Sequence, residues 1–116
     1  MLINAILVVE DEPLIAMMIE DFLDILGKQM IGPVDCVADG LAAIAQGGID
    51  AAILDVNLRG GETSDAIADA LMAAGVPFVF ASGGSGTGIP DRFRGRPVLP
   101  KPFTMDGVEQ ALAALG

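Results

Sequence analysis

Ile6-Leu7-Val8-Val9-Glu10-Asp11-Glu12-Pro13 passes without a break from four aliphatic residues to three acids and a proline. Consecutive apolar residues suit a strand buried on both faces, as the strands of a parallel sheet are. Pro13 suits the first turn of a helix, where no main-chain donor is needed. The stretch therefore reads as a strand, an acidic turn and a helix. Behind it, Leu14, Met18, Phe22 and Ile25 are spaced by four, four and three and are expected to form the helix's inner stripe, with Glu20, Asp21 and Asp24 mainly outward. Gly27 is the expected stop.

The same alternation continues along the chain. Met30 to Val37 reads as a weaker strand, disturbed by Gly32-Pro33 and so expected at an edge. Asp39 is expected to cap a short helix carrying Leu41 and Ile44 and ending at Gly47-Gly48. Ala51-Ala52-Ile53-Leu54 is a fully apolar strand that ends on Asp55. Thr63 or Ser64 can cap a helix with Ile67, Leu71 and Ala74 inward and Gly75 as its stop. Val76 to Ala81 is a further apolar strand ending on Ser82. A long glycine-rich stretch leads to Val98-Leu99 and Pro100-Lys101-Pro102. Thr104 can then cap a last helix with Val108, Ala111, Leu112 and Leu115 facing in. Strands alternating with helices imply a doubly wound α/β fold, a parallel sheet with helices on both faces. No repeat, linker or low-complexity tail interrupts it, so residues 1–116 read as one domain with no separate output domain.

Composition narrows the chemistry. The chain is 53% hydrophobic, but in short blocks, none near the roughly 18–20 apolar residues of a membrane helix. Met1 to Val9 lacks the basic flank of a secretion signal, so a cytoplasmic protein without a membrane anchor is expected. Six basic residues stand against sixteen acidic ones, for a net charge of −10. That balance argues against nucleic acid and favours a divalent cation or a basic protein surface. The single cysteine, Cys36, excludes an internal disulfide and a cysteine-based zinc cluster, and reads as a buried spectator thiol. With no histidine, a Cys/His pair and a histidine general base are excluded too.

Ligands of open parallel sheets bind beyond the carboxyl ends of the strands. Glu10 and Asp11 follow the first strand, Asp55 ends the third, Ser82 ends the fourth and Lys101 follows the fifth. Each alone has an ordinary reading: acids near a helix start, a turn aspartate, a turn serine, a surface lysine. Together they describe a site. Clustered carboxylates repel one another unless a cation neutralises them. A ligand set of oxygens alone points to Mg²⁺. Lys101 can pair with Asp55 or with a phosphoryl group placed there, and Ser82 can donate a hydrogen bond to that group. These are the parts that phosphoryl transfer requires.

Val8-Val9-Glu10-Asp11-Glu12-Pro13, Leu54-Asp55-Val56-Asn57-Leu58, Phe80-Ala81-Ser82-Gly83 and Leu99-Pro100-Lys101-Pro102-Phe103 together resemble the receiver domains of two-component response regulators. The likeness covers essentially the whole chain, in the right order. It implies a CheY-like, flavodoxin-like sheet of five parallel strands in the order 2-1-3-4-5. It implies that Glu10 and Asp11 are the metal-binding acids, that Asp55 is the phosphoacceptor and also faces the metal, and that Asn57 gives the metal its main-chain carbonyl. Ser82 would be the switch hydroxyl and Lys101 the phosphate-pairing lysine. The implied cofactor is Mg²⁺, and the implied donor is a phosphohistidine on a sensor histidine kinase. The product is read by a downstream protein partner or passed along a phosphorelay. Such a chain is a signalling switch that catalyses its own phosphorylation and dephosphorylation rather than an enzyme acting on a separate substrate.

The likeness has departures. Glu10 stands where Asp is commoner, and Val98 stands where many receivers keep an aromatic switch residue. The stretch from Ser82 to Lys101 is short and glycine-rich, and a fourth helix is expected to be shortened or absent there. Phe78-Val79-Phe80-Ala81-Ser82-Gly83 is similar to the divergent receivers nicknamed FATGUY, with Ser82 in place of Thr and the Tyr missing. The alternative is a non-phosphorylated pseudo-receiver acting as a protein-binding module. It would be expected to lack an acid, Asp55 or Lys101, and this chain keeps them all. Gly84-Ser85-Gly86-Thr87-Gly88 suggests a nucleotide loop, but it follows a late strand and runs into Ile89-Pro90 instead of opening a helix.

Overall fold

Ala5–Val9 forms a strand whose five residues are all buried, and it takes the inner position that such a run demands. The computed structural model describes residues 3–82, 89, 91–93, 98–100 and 103–115. In chain order the elements are β1 (Ala5–Val9), α1 (Pro13–Ile25), β2 (Gln29–Val34), α2 (Val37–Gln46), β3 (Ala51–Asp55), α3 (Asp65–Ala74), β4 (Phe78–Ser82), β5 (Val98–Pro100) and α4 (Met105–Leu115), with short 3₁₀ turns at Arg59–Gly61 and Asp91–Phe93. Every strand pair is parallel, and the sheet order is β2-β1-β3-β4-β5. This is the expected architecture, with the Gly32-Pro33 strand at an edge.

Alternate residues of the strands feed two cores. Ile6, Val8, Ile53 and Val79 pack with Ile19 and Leu23 of α1 and Val108 and Leu112 of α4. Leu7, Val9, Leu54 and Phe80 face the other way, onto Ile67 and Leu71 of α3 and the half-buried Ile44 of α2.

Several expectations about the helices need correction. The inner face of α1 is Ala16, Ile19 and Leu23, joined by Ile15 and Leu26 and by Met18 and Phe22 of the expected stripe, whereas the other two expected residues, Leu14 and Ile25, are 77% and 67% exposed. The helix is apolar over most of its circumference, so its period left the centre of the inner face open, and docking on the sheet centred it on Ile19 and Leu23 with Met18 and Phe22 at its margin. Helix α2 starts at Val37, so Asp39 lies inside its first turn and does not cap it. Leu41 is exposed, and the buried residue of α2 is Gly40, which lies directly against Ile67. Ala74 is exposed at the end of α3, while Gly75 terminates that helix in the left-handed conformation, as expected. Ser64 precedes α3, but its hydroxyl faces the Val56 carbonyl at 3.5 Å and caps nothing. Cys36 is half-buried at the start of α2 and is not a core thiol. Thr104 does cap α4: its Oγ1 accepts the Gly107 N–H at 3.0 Å. Most of the glycine-rich stretch, residues 83–88, 90 and 94–97, lies outside the described residues, and so does the expectation of a missing helix there. Within it, the Asp91–Phe93 turn places Phe93 in the core against Phe78 and Phe80.

Candidate functional site

Strands β1 and β3 are neighbours, with Val9 paired to Leu54. The residues that follow, Glu10 and Asp55, therefore emerge side by side at the carboxyl rim. With Asp11 they bring three carboxylate oxygens within 4.8 Å of one another. Glu10 is only 3% exposed, and Asp11 and Asp55 are half-buried. A carboxylate is costly to remove from water unless hydrogen bonds or a cation compensate it. One such bond comes from the Glu12 N–H, which donates to Glu10 Oε2 at 3.1 Å. The main chain of Glu10 is held as well, its N–H donating to the Val34 carbonyl at 2.9 Å.

Asn57 sits just beyond β3, facing Thr63 across an isolated antiparallel bridge. The bonds that make the bridge flank this pair: Leu58 N–H to the Glu62 carbonyl at 2.8 Å and Ser64 N–H to the Val56 carbonyl at 3.0 Å. Asn57 is thus in a non-hydrogen-bonded pair, whose own N–H and C=O point out of the ladder. Its carbonyl is turned out of the ladder, away from Thr63. The loop is secured from its far side by Glu62, whose Oε1 accepts the Val37 N–H at 3.0 Å.

Asp55 pairs with Ala81 and Ser82 with Pro100, so the Ser82 main chain reaches the same rim one residue beyond the level of Asp55. Lys101 follows Pro100 directly in sequence and lies outside the described residues. The structure thus brings Glu10, Asp11 and Asp55 together, sets the Asn57 main chain beside the strand that carries Asp55, and ends β4 at Ser82 on the same edge. An all-oxygen cluster of this size suits a hard cation such as Mg²⁺ better than a soft one.

The sequence reading missed the two backbone bonds that fix Glu10. It also missed a second group, Asp35, Cys36 and Asp39, whose ligand atoms likewise lie within 4.8 Å of one another, on residues from half-buried to exposed. The close spacing of those three residues in the chain was the only signal for it.

No protein-family model matches the chain, and no curated protein does. Among solved structures it is similar to the solution structure of SdrG from Sphingomonas melonis Fr1, with 65% identity over 97% of this chain and 96% of that one and a TM-score of 0.88. The BeF3-activated conformation of SdrG from Pseudomonas melonis Fr1 gives the same identity and coverage at a TM-score of 0.84. The REC domain of the Erythrobacter litoralis PhyR response regulator is 27% identical over 97% of this chain and 88% of that one, with a TM-score of 0.84. The receiver domain of the sensor histidine kinase PA1611 from Pseudomonas aeruginosa PAO1, solved with a magnesium ion in its active-site cleft, shares the fold at 21% identity, 97% and 96% coverage and a TM-score of 0.80.

Proposed function

Because the chain belongs to the response regulator receiver domains, we propose that it is a phosphorylation-controlled switch in which Asp55 takes a phosphoryl group from a phosphohistidine of a sensor histidine kinase. One carboxylate oxygen of Asp55 attacks phosphorus as the bond from phosphorus to the imidazole nitrogen breaks, and the electron pair of that bond leaves with the imidazole. The observation that carries this reading is the convergence of the Glu10, Asp11 and Asp55 carboxylates at the end of the sheet, with Glu10 buried.

Glu10, Asp11, Asp55 and the Asn57 carbonyl would hold Mg²⁺, and the magnesium in the PA1611 receiver supports that assignment. When bound, the ion supplies positive charge that offsets the carboxylates and the charge on the phosphoryl oxygens. In this reading the Lys101 ammonium pairs with the phosphoryl group and the Ser82 hydroxyl donates to it. Hydrolysis of the aspartyl phosphate resets the switch. The BeF3-activated form of SdrG supports a domain that changes conformation when its acceptor site is filled. A net charge of −10 suits output to a basic protein surface and not to nucleic acid. Among the described residues no helix is long and apolar enough to cross a membrane, and a sensor kinase as phosphoryl donor is the ground on which we propose a cytoplasmic location.

The test is incubation with acetyl phosphate and Mg²⁺ followed by intact mass. Wild type gains one phosphoryl group, and Asp55→Asn, nearly isosteric, folds but gains none. Labelling of that variant at the wild-type level overturns the assignment. A folded wild type that never labels is instead a pseudo-receiver.

A further inference from the structure

The buried Glu10 carboxylate hangs on a residue just past the end of β1, where a strand leaving its sheet tends to fray, yet it is held at both ends. Strands β1 and β2 pair from Ala5–Gln29 to Leu7–Ile31 and resume at Val9–Val34. Two residues of β2, Gly32 and Pro33, therefore oppose the single residue Val8, which is a β-bulge. The bulge keeps Ile31 and Val34 on the same face as Leu7 and Val9, in the core shared with α2 and α3. Without it the alternation of the strand would turn Val34 to the other face. It also sets the Val34 carbonyl against the Glu10 N–H at 2.9 Å.

Glycine is what permits this path. Gly32 has φ of 100°, and a Cβ there would stand 2.8 Å from the Val34 nitrogen and 3.0 Å from the Val8 oxygen. Both are main-chain atoms, so no side-chain rotation relieves the clash. At its far end the Glu10 carboxylate accepts the N–H of Glu12, the residue that precedes α1. A side chain with three rotatable bonds is thereby tied to β2 through its main chain and to α1 through its carboxylate.

We propose that Glu10 is positioned for metal by this two-point backbone clamp, and that Gly32 is the positioning residue that makes its first point possible. The inference rests on the receiver reading above. The experiment is a Mg²⁺ titration read in two ways: by thermal unfolding of the unphosphorylated protein, and by the initial rate of Asp55 labelling with acetyl phosphate. Gly32→Ala raises the half-saturating Mg²⁺ concentration about tenfold in both, the usual effect of losing a group that orients a metal ligand. The labelling rate at saturating Mg²⁺ returns to that of wild type. Gly47→Ala is the control for backbone strain alone, because Gly47 also has positive φ, 77°, with nothing within 4 Å of its Cβ position. It keeps the wild-type half-saturation. A Gly32→Ala protein with wild-type half-saturation, or with a rate that saturating Mg²⁺ does not restore, overturns the proposal. Should Gly32→Ala fail to fold, Glu12→Pro and Glu12→Ala decide. Both remove the same exposed charge, but only proline removes the N–H that Glu10 accepts, so equal shifts in the two overturn the clamp. A wild type that neither labels nor gains stability from Mg²⁺ removes the receiver reading of the site, and the clamp with it. A normal wild type beside an unshifted Gly32→Ala removes the clamp alone.

Discussion

Asp50 shows how much one carboxylate can organise without touching the phosphoacceptor rim. Its Oδ2 accepts the N–H groups of Asn4 at 3.0 Å and Ala5 at 2.9 Å, and its own N–H donates to the Ala5 carbonyl at 2.9 Å. The start of β1 is thereby fastened to the residue that leads into β3. The Ala5 hydrogen bond, then that of Asn4, hold the Asp50 carboxyl below its ordinary value of 3.8, against an opposing desolvation. A folded-state value below the unfolded one means stability that is present in full above pH 3.8 and is lost as the pH falls through the lower, folded value. Asp50→Asn is therefore expected to flatten the fall of the unfolding midpoint on acidification below that pH, measured by thermal melts from neutral to strongly acid buffer. Nothing in the sequence marks this aspartate, because its partners lie 46 and 45 residues away. Glu10, Asp11 and Asp55 were legible for the opposite reason. Each stands at or just past the end of an apolar run, and such runs fix where parallel strands stop. Val98 stands where many receivers keep an aromatic switch residue. It is 37% exposed, so it contributes little to the core.

Among the elements, helix faces were harder to read than strands. A strand buried on both faces has no facing to choose, so β1, β3 and β4 follow from composition alone. Helix α1 offered hydrophobic residues at nearly every angle, and only contact with the sheet distinguishes Ile19 and Leu23 from Leu14 and Ile25. Helix α2 has the reverse problem, since its buried position is a glycine, which no hydrophobic pattern can reveal. A Cβ on Gly40 would lie 2.5 Å from Ile67 Cδ1 and 2.9 Å from its Cγ1. Alanine within a helix gains about 1 kcal/mol over glycine, whereas overpacking costs roughly 1–3 kcal/mol. Gly40→Ala is expected to be destabilising by about 1 kcal/mol, and Ile67→Val, which deletes the nearer methyl, to recover part of that in the double variant. Urea unfolding of the two single variants and the pair checks the coupling. Phe93 is the other element-scale anchor. Its ring centroid lies 5.7 Å from that of Phe78 and 5.6 Å from that of Phe80, which stand 5.5 Å apart. One 3₁₀ turn of the glycine-rich stretch is thus pinned to the strand that ends on Ser82. Phe93→Ala is expected to cost about 3–5 kcal/mol, the range for a buried ring, and Phe93→Leu markedly less, both by denaturant unfolding.

At the scale of the whole molecule, the alternation of apolar blocks with helical segments was enough to specify the doubly wound sheet, while its order β2-β1-β3-β4-β5 followed only from the resemblance to receiver domains. The glycine-rich connection was read from the cost of glycine within a helix, and residues 83–88, 90 and 94–97 on which that reading falls lie outside the described residues. The net charge of −10 sets a property no single residue owns. Like charges distributed over so small a body repel, and salt screens them. Raising sodium chloride from about 10 to about 150 mM, over which the screening length shortens from about 30 to about 8 Å, is expected to raise the unfolding midpoint gradually. Mg²⁺ at matched ionic strength should add a further, saturable rise that Asp11→Asn diminishes, and thermal melts in the two salts separate the contributions. The bulge at Gly32-Pro33 has one more consequence, at the margin of the molecule. Strand β2 is one border of the sheet and the three-residue β5 is the other. Pro33 interrupts the donors along the first border, and Pro100, which closes the second, has no N–H to offer. Among the described residues of either border, a stray strand finds no long continuous row of donors and acceptors to zip against. The fold thereby carries its own guard against fibrous self-association, a safeguard of value in a protein whose sequence is so largely apolar.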